Sequence, residues 1–466
     1  MRRQISGLWV GIGLVLSGPG HAGMLDDLPM ATGYTALDLC TRVMQGGDDW
    51  ARVRDQYTAP KVGPLPKVWS IDQRAGRSVA VNLWLPLPWS KRVAVFRPGL
   101  GCTMVPPGAD ESVVLGQGVR GIDESAAPAR SEAPWPVGEG APEVDRWSPA
   151  QQSVLQRWSD LVFAETTAEP KARQNTLALL VAQNGHLVYE RYAPGYTQEQ
   201  PLLGWSMTKT LTALWAGSMI GEGRFKLDDP VPIQAWTGTD KAGITWRHLF
   251  NMAPGLYWSE GHAGFSSTSE MLFSNGDQGA YAAAQAVVAP AGQVFNYSTG
   301  TTAIASKALR TVLGGDAQAS YEHLNRRLFQ PLGLRHAVLE PDASGTPIGG
   351  ARGVLRPRDW LKLGELVRND GRWNGRTLVP ADFVRFMKTP SPAAVGYGGF
   401  MRLYDRKELP AGTPTEVLYF TGLMGQYLVI VPSQQLMVLR MGVSFDKEET
   451  KRRVFEMVKG LQARPG

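Results

Sequence analysis

Two stretches far apart along the chain carry the densest runs of strand-forming residues. Residues 175–182 and 186–192 read as strands, and Asn184-Gly185 between them predicts a tight hairpin. Near the other end, 426–431 and 435–441 predict a second strand pair with Pro432-Ser433 at its turn, and 448–461 predicts a helix. Between these ends the apolar spacing turns helical, at Leu211, Leu214, Trp215 and Met219 and again over 360–367. Strands at both ends with helices between and after them predict an α/β fold. Its mixed sheet is flanked by helices, and its two ends meet in space.

The region before residue 150 reads differently. Residues 78–85 and 92–96 predict short strands, and Pro98-Gly99-Leu100-Gly101-Cys102 predicts a turn-rich corner. From 106 to 149, Pro, Gly, Ala, Ser and acidic residues dominate, which suits a loop or linker. At the very start, Met1-Arg2-Arg3 precedes an apolar run over 5–16, and Gly20-His21-Ala22 supplies small residues for cleavage. That is the pattern of an export signal; an uncleaved anchor helix is the alternative, although the run is short for a bilayer. The expected division is therefore a signal over 1–22, an N-terminal extension with a Pro/Gly-rich linker over 23–147, and a main domain over 148–466.

Composition narrows the classes. With 43% hydrophobic and 19% charged residues, the 466-residue chain is an ordinary globular protein. Its net charge of +6 falls to +4 once Arg2 and Arg3 leave with the signal, and no basic block of the kind nucleic acid requires is present. No later stretch is apolar enough to span a membrane. Cys40 and Cys102, the only cysteines, predict one disulfide in an exported chain; a pair of buried thiols is the alternative. Six histidines show neither His-Glu-x-x-His nor close pairing, which argues against a zinc site. No nucleotide-binding motif and no Gly-x-Ser-x-Gly elbow is present, so no cofactor is expected.

The chemistry concentrates on Trp205-Ser206-Met207-Thr208-Lys209-Thr210. Ser206 opens an apolar helical pattern, where unpaired backbone N–H groups and the positive end of the helix dipole gather. Lys209, three residues on, falls on the same face within reach of the hydroxyl, and a desolvated amine can take its proton. Taken alone, Ser-x-x-Lys is weak evidence; a helix cap and a solvated lysine would look the same. The chain even repeats it at Ser444-Phe445-Asp446-Lys447, where Ser444 reads better as a turn or capping residue. Two further segments add weight. Tyr297 in Phe295-Asn296-Tyr297-Ser298-Thr299-Gly300 stands at a loop-to-helix edge, and Tyr419-Phe420-Thr421-Gly422-Leu423-Met424-Gly425-Gln426 is a Gly-punctuated strand edge suited to an oxyanion. Among the tryptophans, Trp205 and Trp258 are the pocket candidates, while Trp215, Trp236 and Trp246 read as core.

These residues, in this order, resemble the penicillin-recognising serine hydrolases: class C β-lactamases, DD-peptidases, related esterases and 6-aminohexanoate-dimer hydrolase. The resemblance runs over roughly 173–461. Ser206-Met207-Thr208-Lys209 is similar to the family's first motif, Tyr297-Ser298-Thr299 to its Tyr-x-Asn motif, and Phe420-Thr421-Gly422 to its Lys-Thr-Gly or His-x-Gly motif. Residues 244–252, Arg358-Asp359-Trp360 and Asn369-Asp370-Gly371 resemble its structural segments. Residues 97–102 are similar to a segment of exported members. Thr299 and Phe420 depart from the pattern, which weighs against β-lactamase activity more than against hydrolysis, and the 6-aminohexanoate-dimer hydrolase subgroup is the nearest in motif.

The resemblance implies a β-lactamase/transpeptidase-like fold with a mostly helical subdomain. It also implies an acyl-enzyme on Ser206, proton transfer by Lys209 and Tyr297, and an oxyanion held by the backbone N–H groups of Ser206 and Leu423. Thr299, Phe420, Thr421 and Gly422 would then contact a small-molecule ester or amide, with Arg352 or Arg402 as an alternative source of charge. Two other readings stay open: a cell-wall DD-peptidase or β-lactam-hydrolysing enzyme, and a non-catalytic binding or scaffold protein on the same fold.

Overall fold

The computed structural model describes residues 23–462 apart from 75, 85–86, 122–130 and 262–263. The expected signal segment lies outside the described residues. Its organising element is a seven-stranded antiparallel sheet. From one edge the strands are Tyr397–Gly398, Met401–Leu403, Leu418–Gly422, Gln426–Val431, Leu436–Gly442, Thr176–Gln183 and His186–Tyr192. The last strand in sequence pairs with the first, Val438 opposite Val181, so the two distant strand pairs join in one sheet. Asn184 and Gly185 both have positive φ (52° and 79°), the conformation a two-residue hairpin turn demands.

Strand periodicity divides the core in two. Ala178, Leu180, Leu428, Ile430, Met437 and Leu439 pack on one face with the helix Pro357–Arg368 and the buried helix Thr208–Gly221. Leu179, Val181, Val429, Val431 and Val438 pack on the other with the helices Pro149–Phe163 and Lys447–Gln462. Because both faces are covered, the central strands read as unbroken apolar runs. The helix Thr208–Gly221 is buried all round from Thr208 to Met219, beyond the single apolar stripe its spacing predicted.

The N-terminal region is built on its own four-stranded antiparallel sheet, Trp69–Arg74, Ser78–Leu83, Arg92–Arg97 and Gly101–Met104. A helix that the sequence reading did not foresee, Met24–Leu39, packs on it. A disulfide joins Cys40, just past this helix, to Cys102 in the fourth strand, with the Cα atoms 6.1 Å apart. Met30, Tyr34 and Leu37 belong to the same apolar cluster as Trp205 and Leu211, so the extension shares the main core.

The stretch expected as a loop or linker over 106–149 has little regular structure among its described residues, yet parts of it pack against the protein. Trp135 is buried, Arg356 donates to Glu139 Oε1 at 2.7 Å, and Arg358 donates to the Glu139 carbonyl at 2.9 Å. A Pro/Gly-rich composition predicts the lack of regular structure but not the lack of contacts. No helix among the described residues is long and apolar enough to cross a membrane.

Candidate active site

Ser206 sits in a 3₁₀ turn, Trp205–Met207, that leads into the helix Thr208–Gly221. One helical turn on, Lys209 is buried, and its Nζ donates to Ser206 Oγ (3.0 Å), Thr299 Oγ1 (3.0 Å) and the Gly350 carbonyl (2.8 Å). Those three bonds use every donor an ammonium has. Gly350 is required there: a Cβ would stand 2.7 Å from Thr299 Cγ2, pushing apart two of the lysine's acceptors.

Thr299 passes the contact on to a carboxylate. Its hydroxyl donates to Glu260 Oε1 at 2.5 Å and its backbone N–H to Oε2 at 2.8 Å. Trp258 Nε1 (2.8 Å) and Thr268 Oγ1 (2.7 Å) also donate to Oε2. The buried cation is therefore linked to a carboxylate through one hydroxyl. Where the resembling family has Asn, Thr299 accepts from Lys209 and donates to Glu260 through a single hydroxyl oxygen. Glu260 belongs to no motif, and its one hint along the chain is Trp258 two residues before it.

Tyr297 lies beside this pair without bonding to it. Lys209 Nζ is 4.9 Å and Arg402 Cζ 4.8 Å from the centre of its ring, so two cations lie close to the aromatic ring. Among the described residues its hydroxyl makes no hydrogen bond to Ser206 or Lys209. Burial works against the charge on Arg402, but the neighbouring Tyr297, Tyr419 and Tyr397 outweigh it and raise its pKa. Its Nε is buried without a hydrogen-bond partner. Arg352, the other candidate cation, is committed to an ion pair with Glu340 (2.6 Å).

Ser206, Tyr297, Glu260, Arg402 and Leu423 line one cavity of about 320 Å³. Thr421 and Gly422 also line it. The strand Leu418–Gly422 packs against the turn that carries Ser206, and Gly422 allows it: a Cβ there would meet the Gly204 carbonyl at 2.2 Å. Phe420 and Thr299, expected to contact substrate, are not in the wall. Phe420 is 1% exposed and belongs to the apolar core, because its neighbours Thr421 and Tyr419 take the opposite face of the strand. Thr299 faces Lys209. Trp205 and Trp258 are buried behind the site and do not line it.

The second Ser-x-x-Lys resolves differently. Ser444 is buried, and its hydroxyl bonds to Arg440 (2.6 Å) and to the Gln174 carbonyl, a latch between the last strand and the start of the sheet. No cluster of side chains suited to a metal ion occurs among the described residues.

A sheet whose strand edge abuts a Ser-x-x-Lys helix start defines the β-lactamase/transpeptidase-like class of hydrolase folds. The Beta-lactamase family profile matches residues 163–454, more than half of the chain, and the protein belongs to that family. Among solved structures, it is similar to a Bacillus anthracis protein described as a 6-aminohexanoate-dimer hydrolase, at 22% identity over 61% of this chain and 78% of the other, with a TM-score of 0.53. EstCE1, described as a hydrolase with promiscuous acyltransferase activity, is similar at 20% identity over 67% of this chain and 100% of its own, with a TM-score of 0.54. A Bacteroides dorei DSM 17855 protein described as a beta-lactamase follows at 17% identity over 66% and 98%, with a TM-score of 0.51. At these identities the likeness is one of fold. No curated protein matches the chain.

Proposed function

We propose that the protein is a serine hydrolase that cleaves ester or small amide bonds through an acyl-enzyme on Ser206. The observation that carries this is the 3.0 Å contact between Lys209 Nζ and Ser206 Oγ at the wall of a cavity that also presents Tyr297. In its neutral form Lys209 accepts the Ser206 proton as Oγ bonds to the substrate carbonyl carbon. The backbone N–H groups of Ser206 and Leu423 hold the negative oxygen. As the carbon–leaving-group bond breaks, the Lys209–Tyr297 pair returns the proton to the departing oxygen or nitrogen, and water then releases the acyl group. The duty is assigned to the pair, since Lys209 Nζ lies 4.9 Å from the centre of the Tyr297 ring. The phenol comes into hydrogen-bond range once substrate is bound, as groups in empty sites commonly do.

A second reading, a DD-peptidase or β-lactam-hydrolysing enzyme, draws support from Arg402, a cation in the cavity wall that substitutes for the one absent at Phe420. We propose further that residues 1–22 are a cleaved export signal and the destination is periplasmic or extracellular; the Cys40–Cys102 bridge supports an oxidising compartment. N-terminal sequencing of the exported protein tests this, and a mature chain starting at Met1 overturns it.

The central test is labelling by a fluorophosphonate followed by peptide mass spectrometry. Label on Ser206 is expected; label on Ser444, or on neither, refutes the proposal. A panel of neutral esters, short amides, D-Ala-D-Ala peptides and nitrocefin then ranks the two readings.

A further inference from the structure

Part of the cavity wall comes from outside the family region. Lys61, in the turn after the helical segment Val53–Thr58, lines the same cavity as Ser206. Three contacts fix the N-terminal segment beside the site. The Tyr34 ring stacks on Trp205, the residue before Ser206, with centroids 6.1 Å apart and planes 4° from parallel. Tyr34 Oη and Arg42 Nη2 lie 3.7 and 3.9 Å from the sulfur of Met424, the residue after Leu423. Trp205 and Met424 both hold positive φ (48° and 62°), a conformation that bulky side chains adopt only when their surroundings impose it. The segment that brings Lys61 to the cavity is thus braced against both backbone positions flanking the reactive centre.

Charge in the cavity is unbalanced. Among the described residues its wall carries Lys61, Arg402 and Lys447 against a single carboxylate, Glu260, which already accepts four hydrogen bonds. Lys61 is partly buried, and burial lowers its pKa against the opposing pull of Asp38. That carboxylate is itself occupied by Arg42 Nε (2.8 Å) and Thr58 Oγ1 (3.0 Å). Among the described residues Arg402 forms an ion pair only with Glu408, at 3.4 Å, and leaves its Nε without a hydrogen-bond partner. Cations held this way in a partly desolvated cavity gain most from an anion that enters it, since charge-assisted hydrogen bonds are the strong ones.

Resting on the serine-hydrolase reading, we infer that the N-terminal segment is part of the substrate site, and that Lys61, with Arg402, selects an ester or amide carrying a carboxylate. The cavity volume suits a small acyl group with a terminal acid.

Two p-nitrophenyl esters that differ only in charge test it: the half-ester of adipic acid and its methyl ester. Wild type should prefer the free acid in kcat/KM. The acid-to-methyl ratio should fall about tenfold or more in Lys61→Gln, the loss of one charge-assisted bond, and be largely retained in Lys61→Arg. In the wild type the same ratio should fall as ionic strength rises from about 0.05 M to about 1 M, which tests the selection by charge even if the glutamine variant fails to fold. A wild-type preference for the methyl ester, or a ratio indifferent to both Lys61→Gln and salt, overturns the inference. Turnover of neither ester together with no label on Ser206 overturns the hydrolase reading, and this inference with it.

Discussion

Phe420→Lys places at the third motif the residue type that many members of the resembling family carry, and the structure predicts that it costs stability without conferring β-lactam hydrolysis. Phe420 is 1% exposed, in a strand paired with Gln426–Val431, where it lies opposite the fully buried Leu428. Removing the ring from the core forfeits about 1.5–3 kcal/mol of apolar burial. The ammonium that replaces it has two options. It stays buried and neutral, which for a depression of about three pKa units costs about 4 kcal/mol, or it bends its stem towards the cavity and distorts the strand. For the buried, neutral amine the total is about 5.5–7 kcal/mol, comparable with the whole stability of many domains. For a chain of this length that is a fall in Tm of roughly 5 °C or more, readable by far-UV circular dichroism. Phe420→Leu, which keeps the site apolar, should lose about 1–2 kcal/mol. A lysine variant with wild-type Tm and a new nitrocefin activity would show that the side chain faces the cavity, and would refute the reasoning.

Four further outcomes follow. Lys209→Ala and Tyr297→Phe should each lower kcat by roughly a hundredfold or more and combine far from additively, as steady-state kinetics of the double variant will reveal. Glu260→Gln cannot accept all four of its bonds and leaves Thr299 with a donor in place of an acceptor; kcat should drop about tenfold or more with little change in KM, and a wild-type kcat would remove Glu260 from the site. Reducing Cys40–Cys102, which spans a sequence separation of 62, should cost about 2–4 kcal/mol in a denaturant titration while activity persists at low temperature. Partial burial pushes the Glu222 carboxyl up, but hydrogen bonds from Arg224 and His323 outweigh it and bring its pKa from 4.5 to about 2. Its folded-state value is depressed, so its contribution is complete above about pH 4.5 and lost as pH falls towards 2; Glu222→Gln should flatten that part of an acid unfolding curve.

What the sequence determined by itself was chiefly local. The hairpin at Asn184-Gly185, the strand pairs at either end and the Ser206–Lys209 pair rest on turn chemistry, period and a three-residue helical offset, all fixed within a few residues. The rest was decided in three dimensions. A strand's alternation says that Phe420 and Thr421 face opposite ways, but which face meets the cavity depends on the layers packed on either side. Residues 106–149 look like a spacer until Arg356 and Arg358 are seen to bind Glu139. Glu260, Arg402 and Lys61 come from irregular segments and a short strand with no motif of their own. They meet Ser206 only because the sheet, the helices and the disulfide-bound N-terminal segment converge there. Local propensity can place a nucleophile beside its neighbour one helical turn away. The charges that surround a substrate are set by long-range packing, which no spacing along the chain encodes.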